Sequence, residues 1–289
     1  MKRKFKRKLK LKKNIRLLTK FILVFLLIIF MQNNKYIKSF IKTNGAKYVN
    51  EKYVKQYKKE NIISTGNQKD NKDKLFFVKE EKSSNPLIYI YNTHQTEKYL
   101  TKNSSFKPNV TYVSKYLQEK FNENNLYTIV ENRSITDILN LNGWAYGSSY
   151  KVSRMFMEDT FKNNETIKYF FDIHRDAGSH NYTTLCLNET CYAKLLFLIG
   201  LENPNYIDNQ KYAEELSKMI NEKVNGLSKG ILQKQGKKVN GIYNQDFSPR
   251  TMLIEVGGEN NTIDEVYNTL NILSDVLIEY INKEISNGN

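Results

Sequence analysis

Residues 168–176, KYFFDIHRD, decide the assignment of the fold. The mainly apolar run Ile167–Ile173 predicts a buried β-strand, and His174 comes directly after it. The runs Leu87–Tyr91 and Met252–Val256 are also apolar, and each carries a reactive polar residue at or just beyond its end. Strands of this kind that alternate with helical patterns indicate an α/β fold with a mostly parallel central sheet flanked by helices. In such folds, ligands gather at the carboxyl ends of the strands.

The segments between these strands complete a β-α-β-α order. Val110, Val113, Leu117 and Phe121 recur at helical spacing and predict an amphipathic helix. The other predicted elements are a strand over 126–130, helices over 149–161, 207–224 and 262–285, and strand-like runs at 182–185 and 192–199.

Cys186 and Cys191 lie between the two strand-like runs, separated by the turn-prone residues Leu-Asn-Glu-Thr. Two cysteines at this spacing do not form a zinc pattern, which needs a second pair or matching histidines. They either close a small hairpin disulfide or serve as small apolar side chains.

The charge of the chain is concentrated at its start. The whole sequence of 289 residues carries a formal net charge of +15, but residues 1–13 hold nine Lys or Arg and no acid. From Gln32 onward, 34 basic residues stand against 30 acidic ones. The body of the protein is therefore not a basic nucleic-acid binder, and its 40% hydrophobic content is sufficient for a packed core.

A membrane anchor is predicted directly after the basic residues. Phe21–Met31 is an unbroken apolar run, and reading back to Ile15 gives a segment that is just long enough to cross a bilayer. The positive-inside rule then places the N-terminus in the cytoplasm and the rest of the chain outside the cell membrane. A cleaved signal peptide is the alternative, but no small-residue cleavage site follows the apolar run.

Four regions follow from these patterns. We predict a basic cytoplasmic tail over 1–14, a transmembrane anchor over 15–31, a polar stalk or linker over 32–85, and a catalytic domain over 86–289. The stalk is rich in Lys, Asn and Gln and contains the turn-prone stretch STGNQKDNKDK.

The candidate chemistry rests on a few residues near strand ends. The sequence has no phosphate-binding loop and no H-E-x-x-H. His94 and His174 each follow a predicted strand, and Glu97 is three residues beyond His94. Two imidazoles and a carboxylate leave one position of a tetrahedral zinc ion open for water. Glu255, at the end of another strand, could accept a proton from that water.

Each of these residues also has a structural interpretation. A histidine at a strand end is often only hydrogen-bonded, and Glu97 could cap the next segment. Asp172 and Asp176 could pair only with Arg175 or with nearby backbone. His180 is predicted to be a solvated loop residue.

Four blocks in the sequence resemble one protein family. IYIYNTHQTEKY, FFDIHRDA, YNQD and LIEVGGENNTIDE, spread from Leu87 to the C-terminus, are similar to the stage II sporulation protein P family of membrane-anchored peptidoglycan hydrolases. The resemblance implies a fold similar to that of zinc-dependent N-acetylmuramoyl-L-alanine amidases. It implies hydrolysis of the amide between the lactyl group and L-alanine, and also of peptide cross-links. It further implies peptidoglycan as substrate, Zn²⁺ as cofactor, and a lytic transglycosylase as a partner in engulfment.

The resemblance also assigns roles to residues. It makes His94 and His174 zinc ligands, and Glu255 the catalytic carboxylate. Glu97 is the nearest available third ligand, although the related amidases take this Glu from the start of a helix, and the helix near Asn109 has no acid in its first turn.

The remaining carried-over residues are Arg175, Asn244 and Gln245, which the resemblance places along a substrate groove. One position departs from the family pattern, because Asn92 stands where a histidine is common. This departure is the basis of an alternative, a catalytically inactive, membrane-tethered scaffold that binds the cell wall.

Overall fold

The computed structural model of the protein describes residues 85–101 and 108–288. The predicted tail, the predicted anchor and all but the last residue of the predicted stalk lie outside these ranges. Within the described ranges, no helix combines the length and apolar character needed to span a membrane.

The core of the protein is a six-stranded sheet with the order β2-β1-β3-β8-β6-β7. All neighbouring strands in it are parallel except β6 and β8. This arrangement confirms the predicted α/β class with a mostly parallel sheet. The strands are β1 Ile88–Tyr91, β2 Thr128–Val130, β3 Tyr169–Asp176, β4 Thr184–Leu187, β5 Thr190–Ala193, β6 Leu195–Gly200, β7 Ser228–Lys234 and β8 Thr251–Gly258, of which β4 and β5 form a separate hairpin.

Six α-helices are described. They are α1 Val110–Glu123, α2 Ile135–Asn142, α3 Ser149–Asn163, α4 His180–Thr183, α5 Tyr206–Lys223 and α6 Ile263–Ser286. Short 3-10 turns lie at Tyr146–Ser148 and Gln245–Phe247. The helix α6 begins with a capping box in which the side chains of Thr262 and Glu265 satisfy each other's backbone N–H groups.

The two faces of the sheet pack against different helices because side chains alternate along each strand. On one face, Ile88 and Ile90 belong to the large core that α1, α5 and α6 cover. On the other face, Tyr89 and Tyr91 pack with Phe170 and with helix α3. This second face is where the candidate site lies.

The sequence patterns failed in the middle of the chain. Tyr182 lies in the short helix α4 rather than in a strand, and the run 192–199 is divided at Lys194 between the hairpin and the main sheet. The predictions also lacked α2 and β7. Cys186 and Cys191 face each other across the hairpin and are joined by a disulfide, which decides between the two interpretations of these cysteines.

Candidate functional site

Two adjacent strands carry the centre of the candidate site. His174 lies inside β3 rather than after it, and it pairs in register with Glu255 of β8. Both side chains project to the α3 face, since Ile173 and Ile254 next to them belong to the opposite core. His94 lies in the turn that follows β1, and its ring centroid is 5.2 Å from that of His174. The structure therefore brings these three predicted residues together.

Glu97 also reaches this cluster. Its Oε2 atom lies 3.5 Å from Nδ1 of His174 and accepts a hydrogen bond of 3.1 Å from the backbone N–H of Arg175. Two ligands of one tetrahedral zinc ion, each about 2.0–2.1 Å from the metal, are about 3.3–3.4 Å apart. The distance between Glu97 and His174 thus fits two neighbouring ligands.

Three buried polar atoms in the cluster make no hydrogen bond with the described residues: Nδ1 of His94, Nε2 of His174 and Oε2 of Glu255. Nε2 of His174 lies 3.0 Å from Oδ1 of Asp172, which is an ion-pair contact outside hydrogen-bond geometry. Buried polar atoms are normally satisfied, so Nδ1 of His94 and Oε2 of Glu255, which lack such a contact, indicate a position where a further group binds. Across the described ranges, no three His, Cys, Asp or Glu side chains surround one point closely enough to hold an ion as they stand. The residue types, the neighbouring positions and the unpartnered atoms nevertheless fit a zinc ion.

Asp172 contacts the His174 ring at Nε2, on the opposite side of the ring from Glu97. It is 1% exposed, and its carboxylate accepts hydrogen bonds from the N–H (2.8 Å) and the hydroxyl (2.6 Å) of Thr93. Its Oδ1 atom lies 3.0 Å from Nε2 of His174. The structural interpretation of Asp172, pairing with Arg175 or nearby backbone alone, does not account for its contact with His174. A carboxylate behind a histidine fixes the orientation of the ring and increases its basicity.

The electrostatics of the cluster favour a bound cation. Burial lowers the pKa of His174, but the carboxylates of Asp172 and Glu97 outweigh it and raise that pKa well above its ordinary value. Burial and the neighbouring His174 lower the pKa of His94, which keeps this imidazole neutral. The same negative charge that holds a proton on His174 also attracts a metal ion.

Glu255 has the electrostatics of a proton acceptor near neutral pH. Burial raises its pKa to about 7, the charge of His174 opposes this rise, and the carboxylates of Glu97, Asp176 and Asp172 add to it. A general base works best when its pKa is close to the working pH.

Aromatic rings form the wall of the site, and sequence reasoning missed two of them, Tyr146 and Tyr150. Tyr146 stacks on His94, with ring centroids 4.8 Å apart. Tyr150, on α3, is edge-on to His94 at 5.5 Å and parallel to His174 at 6.4 Å, and Tyr243 contacts Tyr150 edge-on at 5.4 Å. No local pattern marks Tyr146 and Tyr150, because the fold alone brings them to the histidines, whereas Tyr243 belongs to the YNQD block.

Asn244 fixes α3 against the sheet. Its Nδ2 atom donates to the carbonyl of Tyr150 at 3.1 Å and to the hydroxyl of Ser153 at 3.0 Å. The hydroxyl oxygens of Ser153 and Thr93 lie 2.9 Å apart, so the network continues to the loop that carries His94. Asn244 is largely buried and acts here by positioning the wall of the site.

The prediction that Gln245 lines a substrate groove is wrong in this structure, because the residue is fully buried. Its Nε2 atom donates to the carbonyl of Leu198 at 2.6 Å, and its Oε1 atom accepts from the N–H of Gly200 at 2.8 Å. The side chain therefore joins its own turn to β6.

Asn92 and His180 both have structural partners. The Asn92 amide donates to the carbonyl of Ile173 at 2.8 Å and accepts from the hydroxyl of Ser114 at 2.9 Å. His180 is not merely solvated, since its Nε2 atom lies 3.0 Å from Oε1 of Glu265 at the start of α6. Neither residue contacts the cluster of His94, His174 and Glu255 through these bonds.

The fold and the site define an α/β protein with imidazole and carboxylate groups gathered on one face of a mostly parallel sheet. The chain belongs to the stage II sporulation protein P family, whose sequence profile matches residues 12–278. Stage II sporulation protein P of Bacillus subtilis (strain 168) is 33% identical over 204 residues, which are 67% of this chain and 50% of that protein. The chain therefore spans about half the length of this curated relative.

Solved structures of amidases show a distant likeness. The N-acetylmuramoyl-L-alanine amidase from Clostridium difficile 630 has a TM-score of 0.43 and 13% identity over 71% of this chain and 98% of that chain. The N-acetylmuramyl-L-alanine amidase from Mycobacterium smegmatis has a TM-score of 0.38 and 10% identity over 69% of this chain and 98% of that chain. These TM-scores are too low to carry over the role of any residue.

Proposed function

We propose that the protein is a peptidoglycan hydrolase of sporulation that cleaves the amide between the lactyl group and L-alanine. Hydrolysis of peptide cross-links is a second activity open to the same residues. The observation that carries the proposal is the meeting of His94, His174, Glu97 and Glu255 on one face of the sheet. Two imidazoles and two carboxylates suit the hydrolysis of an unactivated amide.

His94, His174 and Glu97 would hold Zn²⁺, which when bound supplies a polarised carbonyl and an activated water. The neutral imidazole of His94 has a buried Nδ1 atom with no other partner. Asp172 keeps the His174 ring in one orientation. These features pre-organise the ligand set and reduce the reorganisation needed on binding.

Glu255 moves the proton. With a pKa of about 7, its carboxylate can take a proton from the attacking water and deliver it to the departing amine of L-alanine. Its unpartnered Oε2 atom is available for this exchange. Tyr146 and Tyr150 shield the cluster from bulk water on the α3 side, which strengthens its electrostatic interactions.

The proposed setting is the outer side of the cell membrane. The apolar segment 15–31 and the basic tail before it support a single-pass anchor with a cytoplasmic N-terminus. The disulfide between Cys186 and Cys191 supports an oxidising, extracytoplasmic location for the domain. A tethered hydrolase acts on polymer near the membrane, and a lytic transglycosylase that cuts the glycan strand is a suitable partner.

The test is mass spectrometry of fragments released from defined peptidoglycan by the purified full-length protein, with and without a chelator. New free amino groups on L-alanine, lost with the chelator, are the expected result. His174→Ala should abolish both zinc binding and hydrolysis, whereas His180→Ala should leave both nearly intact. Equal losses in the two variants, or release of no fragment by the wild type, would contradict the proposal.

The inactive scaffold is the second candidate, and it rested on Asn92. The Asn92 amide forms hydrogen bonds with the carbonyl of Ile173 and the hydroxyl of Ser114. These bonds join the end of β1 to β3 and α1, so Asn92 has a structural role in the fold. A metal-free, inert protein that still sediments with cell wall would favour the scaffold.

A further inference from the structure

Arg175 lies beside the candidate metal-binding residues, yet its guanidinium makes only long contacts. Its Nη1 atom donates to the carbonyl of Asp176 at 3.3 Å, and its Nη2 atom lies 3.6 Å from Oε2 of Glu259. Its Nε atom is buried and has no hydrogen-bond partner. A guanidinium offers five N–H donors in a geometry that matches a carboxylate. Most of this capacity is unused here.

The carboxylates around Arg175 are engaged elsewhere. Asp176 binds the ammonium of Lys229 at 2.7 Å and the N–H of Gly178 at 2.8 Å. Glu97 faces His174. Glu259 remains, but its side chain is 56% exposed, and exposed ion pairs contribute little. Among the described residues, Arg175 therefore lacks a strong counter-ion, although its own side chain is only 19% exposed.

The guanidinium acts electrostatically on an exposed residue of the site. Tyr146, whose ring covers His94, is 55% exposed. Burial is the main cause that raises the pKa of the Tyr146 hydroxyl, and the charge of Arg175 acts on it in the opposite direction. Arg175 thus acts on the exposed ring of Tyr146, and its backbone N–H binds Glu97 of the cluster. A substrate bound at the cluster would therefore lie within reach of the guanidinium.

We propose that Arg175 binds the free α-carboxylate of the stem-peptide D-glutamate that follows the L-alanine of the scissile amide. This inference rests on the proposed function. A carboxylate that pairs with both terminal nitrogens replaces the weak contact with Glu259 and adds two charge-assisted hydrogen bonds. It also fixes the peptide relative to His94 and Glu255, so that the amide is held at the cluster.

The test uses two N-acetylmuramoyl peptides that differ only at D-glutamate, with the α-carboxylate either free or converted to the amide. Because hydrogen bonds to charged groups are stronger than those to neutral groups, we expect the wild-type full-length protein to cleave the acid peptide with a kcat/KM about tenfold to one-hundredfold higher than that for the amide peptide. Arg175→Gln should remove this preference by lowering kcat/KM for the acid alone. Arg175→Lys should retain part of it, because a lysine keeps the charge but not the planar fork.

Lys168→Gln is the matched control, since it removes one positive charge just before the opposite end of β3. It should keep the full preference for the acid. A purely structural role of Arg175 would lower cleavage of both peptides equally, and this result would overturn the inference while leaving the proposed function intact. Equal cleavage of the two peptides by the wild type would overturn it as well. Failure to cleave either peptide would overturn the proposed function and the inference with it.

Discussion

Replacing Glu255 by Gln should lower the kcat of hydrolysis about 10²–10⁴-fold and at the same time stabilise the metal-free fold above neutral pH. Burial raises the pKa of Glu255 from its ordinary value of 4.5 to about 7. A carboxyl that holds its proton more tightly in the folded state stabilises the fold fully below about pH 4.5 and loses that contribution as pH rises to about 7. The shift corresponds to about 3 kcal/mol of lost stability at pH 8. Gln has the same shape without the charge, so the variant avoids this loss.

The assay is unfolding by urea in the presence of a chelator, at about pH 4.5 and about pH 8, combined with amide hydrolysis by the zinc-loaded protein. Glu255→Gln should gain up to about 3 kcal/mol at the higher pH only, and lose about 10²–10⁴-fold in kcat. Glu265→Gln is the opposite control. Burial raises the pKa of Glu265, but hydrogen bonds from Asn261, Thr262 and His180 outweigh it and lower that pKa, so this variant should lose stability at pH 8. A Glu255→Gln protein that is less stable at pH 8, or equally stabilised at both pH values, would refute the reasoning.

Three further results are expected. Asp172→Asn should weaken zinc binding and activity about tenfold to one-hundredfold, measured by titration against a competing chelator, because the amide cannot supply the negative charge behind His174. Dialysis against a chelator should abolish hydrolysis and added Zn²⁺ should restore it, and activity that persists in verified metal-free protein would contradict the ligand set. Replacing Cys186 and Cys191 by Ser should cost about 2 kcal/mol of stability in thermal unfolding, since the disulfide closes a short loop, without changing kcat.

Local sequence patterns were sufficient to predict the strands that carry the candidate site. The strands around Tyr91, His174 and Glu255 are apolar runs in a chain with alternating helices, and such runs have few other interpretations. The carboxyl ends of parallel neighbouring strands meet at one edge, so the convergence of the polar residues follows from the fold class. His174 was assigned to the end of its strand, and the error of a few residues did not alter that convergence.

The errors arose where tertiary contacts override local pattern. The strand β7 reads SKGILQK, with a glycine of positive φ at Gly230 and a polar exposed end, so it carries no strand signal of its own and depends on pairing with β6. The YNQD block predicts that Gln245 lines a groove, but in the structure both the oxygen and the nitrogen of its side-chain amide form hydrogen bonds with the backbone of β6. The sequence did not reveal the role of Asp172, because its hydrogen-bond partner Thr93 is distant in sequence and only the fold brings the two residues together.

The position of Glu255 relative to His174 depends on strand register more than on either residue alone. Side chains alternate between faces, so a shift of β8 by one residue against β3 would move Glu255 into the core under α1 and α6 and bring Ile254 to the site. That exchange would bury a carboxylate among apolar residues and expose an isoleucine, and both changes are unfavourable. The apolar residues Ile173, Ile254 and Val256 therefore hold the geometry of the candidate site in place through the core they fill. The same packing that stabilises the sheet selects the one register in which the acid and the imidazole lie side by side.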